Sequence, residues 1–261
     1  MTEIKFWRNA NWRGLVVPVS LLLVGEVFVV WTGYRGAAFA SPSQIALAGA
    51  EALADGSIIS ATVQTLIAAF AGVAIGGSIG LMLGIALGLF PRLYLLLEVP
   101  LEILRPIPGV ALIPLVLLIF GLGYAMEISL VAKTAMWPVF FLSYAAVYGV
   151  KPRLLEVSRL LGMGPLERVC KIVLPASLPG IFVGLRIAIG AALIVAVTVE
   201  IAANPIGLGH AMMQAEERLR PDLVFAYLFW VGFVGWLVNA GVQRLQRHLL
   251  APAPSPAGRQ I

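Results

Sequence analysis

Apolar residues fall in six runs, about 15–33, 60–90, 106–123, 128–150, 177–201 and 222–242, parted by stretches where charge and proline gather. Five of them are near the ~20 residues that a helix needs to cross a hydrocarbon core of ~30 Å, and the second is longer. Helix is the expected state, because an open strand would leave backbone N–H and C=O groups unsatisfied in lipid. The second run is long enough to tilt, or to continue as an interfacial helix. Pro100, Pro106, Pro108 and Pro114 break the chain around the third run and blur its start.

Composition reinforces that pattern. Hydrophobic types make up 60% of the 261 residues and charged types 12%, about half the ~25% of a soluble domain. Most of the outside therefore faces something other than water. The expected fold class is all-α, a polytopic membrane protein with six transmembrane helices. A net charge of +5 does not imply nucleic acid, since no basic run with interleaved aromatics occurs. The single cysteine, Cys170, excludes an intrachain disulfide and a cysteine metal cluster, and His210 and His248 stand too far apart to suggest a metal site.

Charge also orients the chain. With the N-terminus in the cytoplasm, the inner segments hold thirteen Lys and Arg and the outer ones three (Arg35, Arg218, Arg220). Excess Lys and Arg mark cytoplasmic loops, so both termini and the segment 151–175 are expected inside. "AFA" at 38–40 resembles a signal cleavage site. The preceding run is long for a signal and contains Glu26, so it is read as a retained helix. The expected organisation is a cytoplasmic N-terminal segment (1–14), one transmembrane domain (15–248) and a disordered cytoplasmic tail (249–261), rich in Pro and Ala.

The second run carries glycine at 72, 76, 80, 84 and 88. Small residues four apart let helix backbones approach closely. The four steps between these five glycines turn through ~160° of helix surface, which predicts neighbours on more than one side, either as general bundle packing or beside a pathway. "GGSIG" at 76–80 matches G-x-S-x-G, but Ser78 falls in mid-helix with no acid or base in reach, so a nucleophile elbow is disfavoured.

One segment departs from the apolar pattern: Lys151 to Lys171 holds seven charges in twenty-one residues. Pro152 can start a helix that Gly162 ends, and Pro165 can start a second in which Glu167 and Lys171 form an i,i+4 pair. The pattern suits a compact helix–turn–helix on the cytoplasmic face or a solvated amphipathic loop. Glu156, Val157, Ser158, three residues, Gly162, nine residues, then Ile172, Leu174 and Pro175 match E-A-A-x3-G-x9-I-x-L-P, with Val157 and Ser158 where the pattern has alanines. The segment thus resembles the EAA loop of permease subunits of binding-protein-dependent ABC importers. "LRPIPGVALIPLVLLIFGLG" (104–123) and "LPGIFVGLRIAIGAALIVAVTVEIAANPIGLG" (178–209) look like the nitrate, sulfonate and taurine branch.

That resemblance implies the type I, MetI-like permease fold in the cell inner membrane. It implies a coupling helix docked on a separate ATPase subunit, formed around Glu156, Ser158, Arg159, Gly162, Ile172, Leu174 and Pro175. It also implies a homodimer, an external substrate-binding protein, and ATP and Mg on the partner ATPase rather than on this chain. No Gly-Lys dipeptide occurs, so a P-loop is absent and the chain is not expected to be an enzyme. The substrate implied is a small anion or organic acid (sulfonate, taurine, nitrate or bicarbonate). A thiamine-precursor pyrimidine, riboflavin or an aromatic acid is the alternative. A stand-alone secondary transporter or channel is the competing class; it would need its own coupling-ion site.

Glu26, Lys133, Arg186 and Glu200 lie in or at the ends of apolar runs. A charge at mid-bilayer costs ~2.5–3.5 kcal/mol on insertion scales, so each wants a partner, water or an interface. Lys133 and Glu200 are near enough to run ends to snorkel. Arg186 is expected to pair with Glu26 or Glu200, with a place on an anion pathway as the alternative.

Overall fold

Proline and glycine cut the chain into helices. The computed structural model describes residues 12–32 and 39–249. Its elements are α1 (Trp12–Thr32), α2 (Pro42–Ala54), α3 (Ser57–Leu89), α4 (Pro91–Leu104), a 3-10 turn (Val110–Leu112), α5 (Ile113–Phe120), α6 (Tyr124–Tyr148), α7 (Pro152–Leu160), α8 (Pro165–Arg168), a π turn (Val169–Val173), α9 (Leu174–Ala202), α10 (Gly207–Glu217) and α11 (Pro221–Leu249). No strand occurs among the described residues. Most of the expected segment 1–14, the position of Arg35 and the tail beyond Leu249 lie outside them.

α3, α6, the run that contains α9, and α11 are long and apolar enough to cross a membrane; Val19–Val29 and Val110–Phe120 are shorter apolar helices. The third expected span, 106–123, is thus a 3-10 turn leading into the eight-residue α5. Pro106 and Pro108 hold the chain out of helix before Val110, and Gly121, at φ 70°, ends α5. α2, α4 and α10 were not among the expected elements.

The described residues divide into two compact units, one running up to Ile59 and including Ala211–Trp230, the other comprising Ser60–His210 and the residues from Val231 onward. In the first, Ser41 caps α2 in a reciprocal pair with Gln44. The Glu26 carboxylate accepts the Ser43 N–H (2.9 Å) and its hydroxyl (2.7 Å), placing negative charge at the positive end of α2. The Phe39 and Phe225 rings meet edge to face, 6.2 Å between centroids.

The second unit is built on α3, α6 and α9. All five ladder glycines face α6. A Cβ at Gly72 would strike Val131, at Gly76 the Ala132 backbone, at Gly80 the Met136 carbonyl, at Gly84 Ser143 and the Phe140 carbonyl, and at Gly88 Val147. The glycine row itself is taken by one helix, since every-fourth residues run obliquely over a helix and a single helix laid across them can follow the whole row. The expected further neighbours meet α3 elsewhere, α9 at Ala69 and Val73 and the start of α10 at Gln64 and Thr65. Contact order rises together along both helices, so α3 and α6 run parallel. α9 runs the other way, with Gly180 on Ala146 and Gly184 on Leu142. Its stripe of Ala188, Ala192 and Ala196 joins Ala69, Val73, Val131, Ala135 and Val139 in a buried core. Small residues at four-residue spacing here exchange side-chain volume for backbone proximity, the packing that suits helices in lipid.

Candidate functional site

Gly162 sets the shape of the charged segment. At φ 70° it occupies the left-handed region that closes a helix. Its N–H donates to the Arg159 carbonyl and the Met163 N–H to the Ser158 carbonyl, both at 3.0 Å. These are the two bonds of a Schellman closure, satisfying the last carbonyls of α7. Arg168 then donates from Nη2 to the Met163 carbonyl (3.1 Å), tying α8 to the turn. Glu167 and Lys171 form an exposed i,i+4 ion pair at 2.7 Å.

The segment has an anchored side and an open side. Leu155 packs against Val147, Val150 and Val173, with Ile85 and Leu89 completing the cluster, which fixes the segment at the end of the bundle where α3 and α6 finish. Ser158 is buried and donates to the Leu155 carbonyl at 2.6 Å, whereas Val157 is exposed. The smaller departure from alanine therefore takes the buried place and the bulkier one points away. Ile172 and Leu174 are half-buried, and Glu156, Arg159 and Pro175 exposed. Opposite the anchor, Leu160, Leu161 and Leu166 are 86%, 70% and 78% exposed. Three bare leucines beside Glu156 and Arg159 form an apolar ridge with a polar rim, the makings of a docking surface.

At the other end of the bundle lies a polar cluster. Three N–H groups at the start of α10 are met by side chains: Gly207 by Gln64 Oε1 (2.9 Å), Leu208 by Thr65 Oγ1 (2.9 Å) and Gly209 by Glu200 Oε2 (2.8 Å). Glycine is required at 207 and 209, where a Cβ would run into Glu200. Glu127, 0% exposed, adjoins Glu200, 1% exposed. Asn204 links them to the chain around α6, donating to Glu127 Oε2 (2.6 Å) and accepting the Gly123 N–H (2.9 Å). Glu200 is thus a buried cap rather than a snorkelling charge. Glu127 escaped the sequence reading because it fell between two apolar runs, where a charge asks for no explanation.

The remaining charges also find partners. Arg186 Nε donates to Asn239 Oδ1 at 3.1 Å, not to Glu26 or Glu200, both of which are engaged elsewhere. Lys133 donates from Nζ to the Ile107 carbonyl. It lines a cavity of about 670 Å³ halfway along α6, between that helix, the bend Arg105–Gly109 and α9. The Arg105 guanidinium lies over the Phe141 ring, 4.6 Å from its centroid, within cation–π range. Thr134 and Trp137 share the wall, and the Trp137 indole N–H is buried without an acceptor. Gly109 lets the bend approach α6, since a Cβ there would come within 2.7 Å of Thr134 Oγ1.

The chain thus combines an apolar helical bundle, a Schellman-closed charged segment at one end and, halfway along α6, a largely apolar cavity that carries two cations. Residues 76–251 match the family described as binding-protein-dependent transport system inner membrane component. The chain belongs to that family. It is therefore an ABC importer permease, with the MetI-like fold. It is 32% identical to an Escherichia coli protein that carries the name of an aliphatic sulfonates transport permease, over 97% of this chain and 96% of that one. The E. coli taurine transport system permease protein is 28% identical over 93% of each. Among solved structures, an inward-facing conformation of the MetNI methionine ABC transporter superposes with a TM-score of 0.66 at 23% identity, covering 73% of this chain and 95% of that one.

Proposed function

We propose that this permease forms the membrane path of an importer for a small anion or organic acid and is driven by a separate ATPase dimer that grips residues 151–175. The observation that carries this reading is the ridge of Leu160, Leu161 and Leu166, bare on a segment whose other side is bolted to the bundle by Leu155 and Val173. Movement of such a handle is transmitted to α6 and α9 directly, because the segment is continuous with both. In this reading Gly162 supplies the tight turn beneath the partner, the leucines fill its cleft, and Glu156 and Arg159 set register. ATP and Mg reside on the ATPase. A second copy of this chain completes the path, and an external binding protein delivers the substrate. Both termini lie in the cytoplasm, as the excess of Lys and Arg on that side favours.

The Escherichia coli relatives named for aliphatic sulfonates and taurine support an organosulfur anion as cargo. The test is co-expression of the full chain with candidate ATPase subunits of sulfonate, taurine and nitrate systems, followed by affinity purification. The expected result is an ATPase that co-purifies with the wild-type chain and is lost when Leu160, Leu161 and Leu166 are changed together to serine. An ATPase retained by that variant, or one that never binds, contradicts the reading.

A further inference from the structure

The cavity at mid-depth is unusual in what lines it. Lys133 brings a basic side chain into a membrane-spanning helix, a placement that marks a functional position by default. Its partner is the neutral carbonyl of Ile107, which orients the ammonium without cancelling its charge and occupies one of its three N–H groups. No carboxylate is among the described residues lining the cavity. Arg105 adds a second cation, and the Trp137 ring lines the same wall. Two cations with no carboxylate beside them call for an anion. The rest of the wall is apolar: Phe141, Pro138 and Ile187. Its ~670 Å³ falls among pockets that take small organic molecules, roughly 300–1,000 Å³.

We infer that this cavity is a binding site for an organic monoanion, an oxyanion head with an apolar tail, in which Lys133 holds the head while Trp137 and the Arg105–Phe141 stack flank the tail. The inference rests on the importer reading above and sharpens it in two ways. A bare inorganic anion such as nitrate would leave the aromatic and aliphatic wall without a partner. A zwitterion such as taurine would bring its own ammonium into a cavity that offers it two cations and no carboxylate. An alkanesulfonate satisfies both the charge and the wall.

Equilibrium dialysis of radiolabelled butanesulfonate against the full-length chain in phosphatidylcholine nanodiscs tests it. Unlabelled butanesulfonate is expected to displace the label, whereas taurine, nitrate and the uncharged butyl methyl sulfone do so at least about tenfold less well. Lys133→Gln removes a charged donor and should weaken binding about tenfold to a hundredfold. Lys133→Arg, which keeps the charge, should restore most of it, separating charge recognition from misfolding. Wild-type binding that is absent, indifferent to Lys133→Gln, or matched by taurine or the sulfone overturns the site. So does displacement of the label on changing to phosphatidylglycerol nanodiscs, which would assign the cations to lipid headgroups. ATP-driven uptake by the assembled complex is scored separately. A complex that pumps with its butanesulfonate binding indifferent to Lys133 overturns the site and spares the importer reading. Lys133-dependent binding with no ATP-driven uptake supports the site and overturns that reading.

Discussion

Gly76 sits so close to α6 that a Cβ on it would lie 2.6 Å from the carbonyl carbon of Ala132. Backbone cannot yield as a side-chain tip can. Gly76→Ala is therefore expected to destabilise the bundle by ~1–3 kcal/mol, the usual cost of overpacking. Gly77, one residue on, has its nearest neighbours at 3.9 Å or beyond. Gly77→Ala should be neutral or gain up to ~1 kcal/mol from helix propensity. Thermal unfolding of the two full-length variants in one detergent distinguishes them; equal behaviour would contradict the close approach of α3 to α6.

Asn204 serves two elements at once, and its loss leaves Glu127 Oε2 and the Gly123 N–H without these partners. Each buried polar group so orphaned costs ~1–3 kcal/mol, so Asn204→Ala should lower the midpoint of thermal unfolding by several degrees. Glu127→Gln should not. Its amide can still accept from Asn204 and brings a donor beside Glu200 Oε1, which has no partner now. A Glu127→Gln protein as unstable as Asn204→Ala would contradict this arrangement.

Gly162 stands at φ 70° with no atom within 4 Å of a would-be Cβ. Space is available but the backbone is unfavourable for most side chains, by ~1–2 kcal/mol. Gly162→Asn, which tolerates that conformation, should keep ATP-driven uptake. Gly162→Asp should insert into the membrane normally yet lose uptake, because it adds negative charge beside the docking leucines. Uptake at the wild-type rate by the aspartate variant would remove Gly162 from the coupling surface.

Cys170, the chain's sole cysteine, is exposed within the π turn of the same segment, and so reports orientation without any engineered residue. A membrane-impermeant maleimide should label it in inside-out vesicles and spare it in intact cells, and bound ATPase should slow the labelling. The opposite pattern would place the segment on the wrong side of the membrane.

Much of this was legible in the chain. The charged segment announced itself because seven charges gather between two long apolar runs, with Glu156, Gly162 and Pro175 at telling spacings, and local rules suffice for its turn: a glycine after a helix with Pro165 three residues later. The long helices were equally plain. Helices α2 and α4 were not, since thirteen or fourteen residues of mixed character carry no membrane signal, although Ser41 with Gln44 is a capping pair that spacing alone could have revealed. The partners of charges were the least legible. Arg186 meets Asn239 53 positions away and Glu127 meets Asn204 at 77; such pairings follow from how α6, α9 and α11 pack, and no periodicity within one helix encodes them. The glycine ladder shows the same limit, because its spacing reveals close packing but not that a single helix accepts the whole row.

The most direct measurement is ATP-driven uptake of an alkanesulfonate by proteoliposomes that hold the permease, its ATPase and its binding protein. The account predicts accumulation with the wild-type chain. It predicts none when Leu160, Leu161 and Leu166 are replaced by serine in a protein of unchanged thermal stability. Undiminished accumulation by that variant would contradict it.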